Sequence, residues 1–255
     1  MTWNPQQYLK FAQPRLRPAI DLLARIEASS PSRIYDLGCG TGGITRLLAQ
    51  RWPHAHITGV DDSAEMLGQA ARQSSAIEWV QQSLATWRPN ERANLIFSNA
   101  ALHWLPDHGN LFVSLVDALA PNGILAVQMP RNFLAPSHTL IYETAREPQW
   151  HDTLAHLIAR PPVHEPQFYY SLLQERAASL DIWETEYLHA LDGKDAVKEW
   201  TKGTWLKRFL DELDEPRRGE FEADYARRVG AAYPPLENGR TLFPFRRLFI
   251  VLQKN

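Results

Sequence analysis

The chain has 255 residues, with 27 Lys+Arg against 29 Asp+Glu, a formal net charge of −2, and 44% hydrophobic against 22% charged residues. That balance is ordinary for a soluble enzyme, disfavours a polyanionic nucleic acid as partner, and is long enough for one domain or one domain with a cap. A single cysteine excludes an internal disulfide framework; with no basic-then-apolar start and no window long enough for a bilayer span, the expected location is the reducing cytoplasm.

The chain opens on three rings, Trp3, Tyr8 and Phe11, with no strand pattern, which suits a segment folded over something: a lid on a pocket or a strap on the core. Residues 14–26 carry an amphipathic helix with Leu16, Ile20, Leu23 and Ile26 on one face, ended by Ser29-Ser30-Pro31-Ser32. Residues 34–37 read as a short buried strand, which turns on Gly38, Gly40 and Gly42 into a helix over 44–52. Such a turn lets backbone approach a ligand closely and is expected to leave N–H groups pointing at it. No Lys-Ser/Thr pair follows, so this is not a phosphate-cradling loop. Asp36, immediately before the glycines, departs from the dinucleotide fingerprint; it would repel a pyrophosphate and attract an ammonium or a sulfonium.

A second strand, 56–61, ends in Asp61, and Asp62 or Ser63 can cap the helix that follows. An acid at this position can accept both hydroxyls of a ribose at the carboxyl edge of a sheet, or simply cap the helix. Third and fourth strands run over 76–80 and 94–99. The stretch from Asn99 to His108 is polar and aromatic just past a strand end, and a helix covers 110–119. Asn122-Gly123 makes a turn into a fifth strand, 124–129. Strands alternating with helices predict a parallel, doubly wound α/β sheet.

Past Pro130 the rhythm breaks. Helices are expected over 138–146, 151–159 and 169–178, a strand over 182–189, a mostly helical stretch over 194–233, and a last strand over 249–252 after Phe243-Pro244-Phe245-Arg246-Arg247. The expected organisation is 1–130 (lead-in and cofactor-binding part), 131–192 (linker helices and sixth strand), 193–238 (helical cap) and 239–255 (final strand). Cys39 has no activating partner in sequence and reads as a small packing residue. The nine histidines show no metal-ligand spacing, so no metal is expected.

Asp-Leu-Gly-Cys-Gly-Thr-Gly at 36–42, Gly-Val-Asp at 59–61 and the Asn99 region resemble the class I S-adenosylmethionine-dependent methyltransferase family, with its Rossmann-like sheet of seven strands. Trp3-Asn4-Pro5, Trp104-Leu105-Pro106-Asp107-His108, residues 125–130, Asp181-Ile182-Trp183 and residues 247–251 extend the resemblance over nearly the whole chain. They point to the members that esterify a carboxylate of trans-aconitate or a similar polycarboxylic acid. The resemblance implies S-adenosyl-L-methionine as cofactor, leaving S-adenosyl-L-homocysteine. Asp36, Gly38, Gly40 and Gly42 would hold its amino acid moiety and Asp61 its ribose hydroxyls, with Asp62 also among the cofactor contacts. Ser83 and Leu84 would meet its adenine and Asn99 its methionyl side, with Trp104 also among the cofactor contacts and Tyr8 and Phe11 closing over it.

For the acid, the resemblance points to Arg247 as anchor, with Tyr170, His103, Trp200, Trp3 and Arg131 lining the pocket. Arginine's rigid fork suits a carboxylate. Arg131 stands where relatives can carry an acid, Arg246 where they can carry proline, and His103 where they can carry glutamine. An ionised carboxylate needs no general base to attack a sulfonium methyl, so no catalytic acid or base is assigned. Positioning and exclusion of water would do the work. The implied protein is a monomer or weak homo-oligomer taking a small-molecule acid. The alternatives are a methyltransferase for a carrier-bound or natural-product acid and a non-catalytic cofactor-binding regulator.

Overall fold

The computed structural model of the chain describes residues 12–28, 30–158 and 161–255. Helix α1 (Ala12–Ala24) precedes β1 (Arg33–Leu37), α2 (Gly43–Arg51), β2 (His56–Asp61), α3 (Ala64–Gln73), β3 (Glu78–Gln81), β4 (Ala93–Asn99), α4 (His108–Asp117) and β5 (Leu119–Pro130). Then come α5 (Pro136–Ala145), α6 (Pro148–Leu154), α7 (Pro166–Leu173), β6 (Ala177–Leu191), α8 (Ala196–Lys202), α9 (Lys207–Leu210), α10 (Arg217–Ala232) and β7 (Thr241–Lys254). No described helix is long and apolar enough to cross a membrane.

The seven strands form one sheet in the order β3-β2-β1-β4-β5-β7-β6. The first five are parallel and β7 runs antiparallel to β5. Strand order reverses between β1 and β4, so the crevice for a ligand lies at their carboxyl ends. Ile34, Leu37, Val60, Leu95, Phe97, Leu125 and Val127 are almost wholly removed from solvent, as strands covered on both faces must be. Each such side chain contributes about 1.5–3 kcal/mol by burial.

Two compact units divide the chain: residues 17–130, 162–185 and 247–255 make one, and a second is built mainly of 131–161 and 186–246. In the second unit, the Tyr225 hydroxyl meets Thr201 at 3.1 Å and donates to the Ser137 carbonyl at 2.8 Å, tying α10 to α8 and α5. Phe209, Phe221 and Phe243 are fully buried in that unit.

Three elements depart from expectation. In α1 Ala19 and Leu22 are buried while Ile20 is 47% exposed, and Ile26 is buried just past the end of the helix; two apolar stripes about one residue apart were available, and Leu22 went inward. Asn122-Gly123 is not a turn before β5 but an irregularity within it, with Asn122 at φ 59° and the β4 register shifting between Ala93 and Leu95. Strand β7 begins at Thr241, so Arg247 lies inside the last strand, opposite Pro130, rather than ahead of it.

Candidate functional site

The glycine turn after β1 folds back on β2. Gly38 and Cys39 donate their amides to the Val60 carbonyl at 2.8 and 3.1 Å, Gly40 donates to Asp61 Oδ2 at 2.8 Å, and Gly42 to the Cys39 carbonyl at 3.0 Å. The expectation of free N–H groups aimed at a ligand therefore fails for these four amides, because β2 supplies acceptors for three of them and the turn's own Cys39 carbonyl takes the fourth. What the turn needs is left-handed backbone: φ is 77° at Gly38 and 74° at Gly42. A Cβ on Gly38 would stand 2.1 Å from the Ala101 Cβ, and one on Gly42 would stand 2.4 Å from the Trp79 ring. Glycine is needed on both counts.

Two acids flank the turn. Asp36 is buried at the end of β1 and accepts from the Thr45 hydroxyl at 2.6 Å. Burial pushes its carboxyl up to about 7, the Thr45 bond holds it back, and the negative Asp61 raises it further. Asp61 accepts from Gly40 and, at 3.0 Å, from the Ser63 amide; its pKa is raised chiefly by burial, against those two bonds. Ser63 caps α3 through the Met66 amide, as expected. Asp62 is exposed and accepts through its carbonyl from Gln81. Burial, with Asp36 and Asp61 beside it, drives the Cys39 thiol far up, so it stays protonated and packs.

Past β3, Gln82 donates its amide to the Asp61 carbonyl at 3.0 Å, fixing the loop beside the β2 end. Ser83 is exposed there, and a Leu84 methyl lies 3.6 Å from where a Cβ on Gly38 would be. After β4 the chain passes Asn99 and Ala100, the latter at φ 54°, a conformation that costs about 1–3 kcal/mol and marks a constrained edge. The short turn Leu102–Trp104 follows. His103 is 6% exposed and its ring sits 4.6 Å from that of Trp104, which is 48% exposed. A buried His108 holds this turn. Its Nε2–H donates to the Leu102 carbonyl at 3.1 Å while Nδ1 accepts from the Tyr169 hydroxyl at 2.6 Å; the Tyr169 oxygen in turn accepts from the His164 amide. Burial lowers the His108 pKa, consistent with that neutral tautomer.

At the next strand, Asn99 faces Gln128 in register. Asn99 Oδ1 and Gln128 Nε2 are buried with no hydrogen-bond partner among the described residues. Arg247, 5% exposed, donates from Nη1 to Gln128 Oε1 at 3.4 Å. Sequence reasoning passed over Gln128, whose signal was one amide inside an otherwise apolar strand.

The structure thus gathers Asp36, the glycines, Asp61, Leu84, Asn99, His103 and Arg247 at or beside the carboxyl edge of one sheet. Tyr170 stands apart: it is 53% exposed on α7 and lines a cleft of about 280 Å³ with Pro166, Gln167, Ser171 and Ile182. Its neighbour Tyr169 is the buried one. Trp200 is 2% exposed in the second unit, its ring 4.6 Å from that of His189 and near Phe243 and Phe245. Arg131, also in that unit, donates its amide to the Arg246 carbonyl. Trp3, Tyr8 and Phe11 lie outside the described residues.

Comparison with known proteins adds to this geometry. Residues 34–123 match a family model described as a methyltransferase domain. A trans-aconitate 2-methyltransferase of Azoarcus sp. is 46% identical over 98% of this chain and 98% of its own. One of Afipia carboxidovorans is 46% identical over 99% of both. Among solved structures, Haemonchus contortus phosphoethanolamine N-methyltransferase 2 in complex with S-adenosyl-L-methionine aligns at TM-score 0.55 and 14% identity; it covers 94% of this chain, which spans about half of that one (53%). That likeness carries the fold: an α/β class I methyltransferase sheet.

Proposed function

We infer, for a chain that belongs to the trans-aconitate 2-methyltransferase family, that it transfers a methyl group from S-adenosyl-L-methionine to a carboxylate of trans-aconitate or a closely similar polycarboxylic acid. When bound, the cofactor supplies a methyl group on a sulfonium, which an ionised carboxylate takes without a base.

The chain's own residues fit that cofactor. Four amides of the glycine turn are turned inward, so the turn is no cradle for an anion, and the edge beside it is acidic. Asp36 is a buried carboxyl whose charge is costly alone and is relieved by an ammonium. Asp61, already oriented by two backbone N–H groups, retains lone pairs for the two ribose hydroxyls. Leu84 offers an apolar surface to the adenine, with Ser83 and Asp62 at its rim. The unpartnered Asn99 Oδ1 is an acceptor for the positively charged end of the methionyl chain.

Arg247 anchors the acid. Its guanidinium supplies a planar pair of donors matched to a carboxylate, and His103, in the turn after β4, supplies another polar group. Holding the acid in line and dry accounts for catalysis: alignment of two reactants is worth up to about 7–11 kcal/mol of the barrier. The observation that carries this reading is the pairing of an acidic edge at β1 and β2 with an arginine at β7, within one sheet.

The test is ester formation. Purified protein incubated with S-adenosyl-L-methionine and a panel of free tri- and dicarboxylates is expected to add one methyl mass to trans-aconitate more efficiently than to the others. Absence of any ester, with cofactor bound, contradicts it.

A further inference from the structure

We propose that Gln128 is a direct ligand of the acid substrate: its Nε2 donates to a carboxylate that Arg247 also engages. This rests on the functional reading above and deepens it.

Gln128 is 0% exposed, in a strand whose neighbours Leu125, Ala126, Val127 and Met129 are equally buried and apolar. A primary amide in such a run needs a partner for each end, since an unmet buried polar group is destabilising. One end is met: Arg247 Nη1 donates to Oε1 at 3.4 Å. That contact also fixes which way the amide points, because the flipped amide would set two donors face to face. The Nε2 group then has no partner among the described residues. On the same rung, Asn99 Oδ1 is likewise unmet. The two strand neighbours therefore present an acceptor and a donor side by side. They do not satisfy each other, and a ligand with a positive centre next to a negative one satisfies both.

The residue type agrees. If position 128 served only to steady Arg247, glutamate would do it better, as a charged acceptor. Glutamine orients the guanidinium without cancelling its charge and adds a second donor. Two donors, one charged and one neutral, suit an ionised carboxylate.

The experiment is calorimetry on protein loaded with S-adenosyl-L-homocysteine, using trans-aconitate and the three dicarboxylates that each lack one of its carboxyl groups: mesaconate, glutaconate and itaconate. Gln128→Met keeps the volume and removes the amide; it is expected to weaken trans-aconitate binding roughly tenfold or more while cofactor-product affinity stays within about twofold. For one dicarboxylate of the three, the variant and the wild type should bind alike, because the carboxyl that Gln128 holds is already gone. Gln128→Glu should bind trans-aconitate more weakly still, with partial recovery as pH falls and the new carboxyl protonates. A Gln128→Met loss that is equal on all four acids, or that extends to the cofactor product, assigns the residue to structure and overturns the proposal. Unchanged acid binding in Gln128→Met overturns it as well, leaving the methyltransferase reading intact. Failure of the wild type to bind any of the four acids overturns both.

Discussion

The two ends of the sheet's carboxyl edge are built from opposite materials. At β1 and β2 the edge carries carboxylates already engaged within the chain: Asp61 by the backbone amides of Gly40 and Ser63, Asp36 by the Thr45 hydroxyl. At β5 and β7 it carries donors, Arg247 and the unmet amide of Gln128. The first end is organised before any ligand arrives. At the second, Gln128 Nε2 has no hydrogen-bond partner among the described residues. In the proposed reading, the cationic methyl donor takes the acidic end and the anionic acid the donor end of the same sheet.

Breaking the donor end should have the largest effect. Arg247→Met, which keeps apolar bulk in β7, is expected to lower kcat/KM for trans-aconitate by about 30- to 5,000-fold, the usual cost of about 2–5 kcal/mol for removing a buried charged partner. Cofactor affinity should change little, as isothermal titration would record. At the acceptor end, Asp61→Ala should weaken cofactor binding by about 10- to 100-fold, since hydrogen bonds to a charged group are worth about 1.5–3 kcal/mol. Acid binding to whatever cofactor-loaded fraction remains should be preserved.

The acidic end should also respond to pH. Asp36, pushed up to about 7 by burial, must be ionised to pair with an ammonium. Cofactor affinity should therefore be flat above that value and fall by about tenfold per unit below it. In the unliganded protein the sign is opposite: a carboxyl raised on folding means the folded state holds the extra proton, so stability declines as pH rises from about 4 to about 7 and then levels. Thermal melts with and without cofactor across that range would show the two trends diverging. Cys39→Ala, a change beside the acids that removes no bond to a ligand, should alter cofactor affinity by less than about twofold.

The acidic end was legible in the sequence because its parts are local. A strand, an acid, three glycines and a helix follow one another within residues 33–51, and Asp61 follows one strand later with a serine cap behind it. The donor end was not, because it joins residues 119 positions apart. Pro244 hid the strand that carries Arg247, since proline inside a run argues against a strand; yet the buried positions Phe243, Phe245 and Arg247 alternate as a strand's should. Gln128 lies inside the expected strand 124–129, where its apolar neighbours give no sign of a site. The adjacent Tyr169 and Tyr170 offered no basis for choosing between them, and the buried one proved to belong to the network that holds the turn at Leu102. Trp200 looked like a pocket ring and packs among His189, Phe243 and Phe245, because aromatic rings serve cores as readily as ligands.

The most direct measurement is a crossed titration of wild type, Asp61→Ala and Arg247→Met. Each is titrated first with S-adenosyl-L-homocysteine and then, at saturating levels of it, with trans-aconitate. The account predicts that Asp61→Ala loses affinity for the first ligand alone and Arg247→Met for the second alone. Loss of both ligands in both variants, with the fold intact by melting temperature, would contradict it.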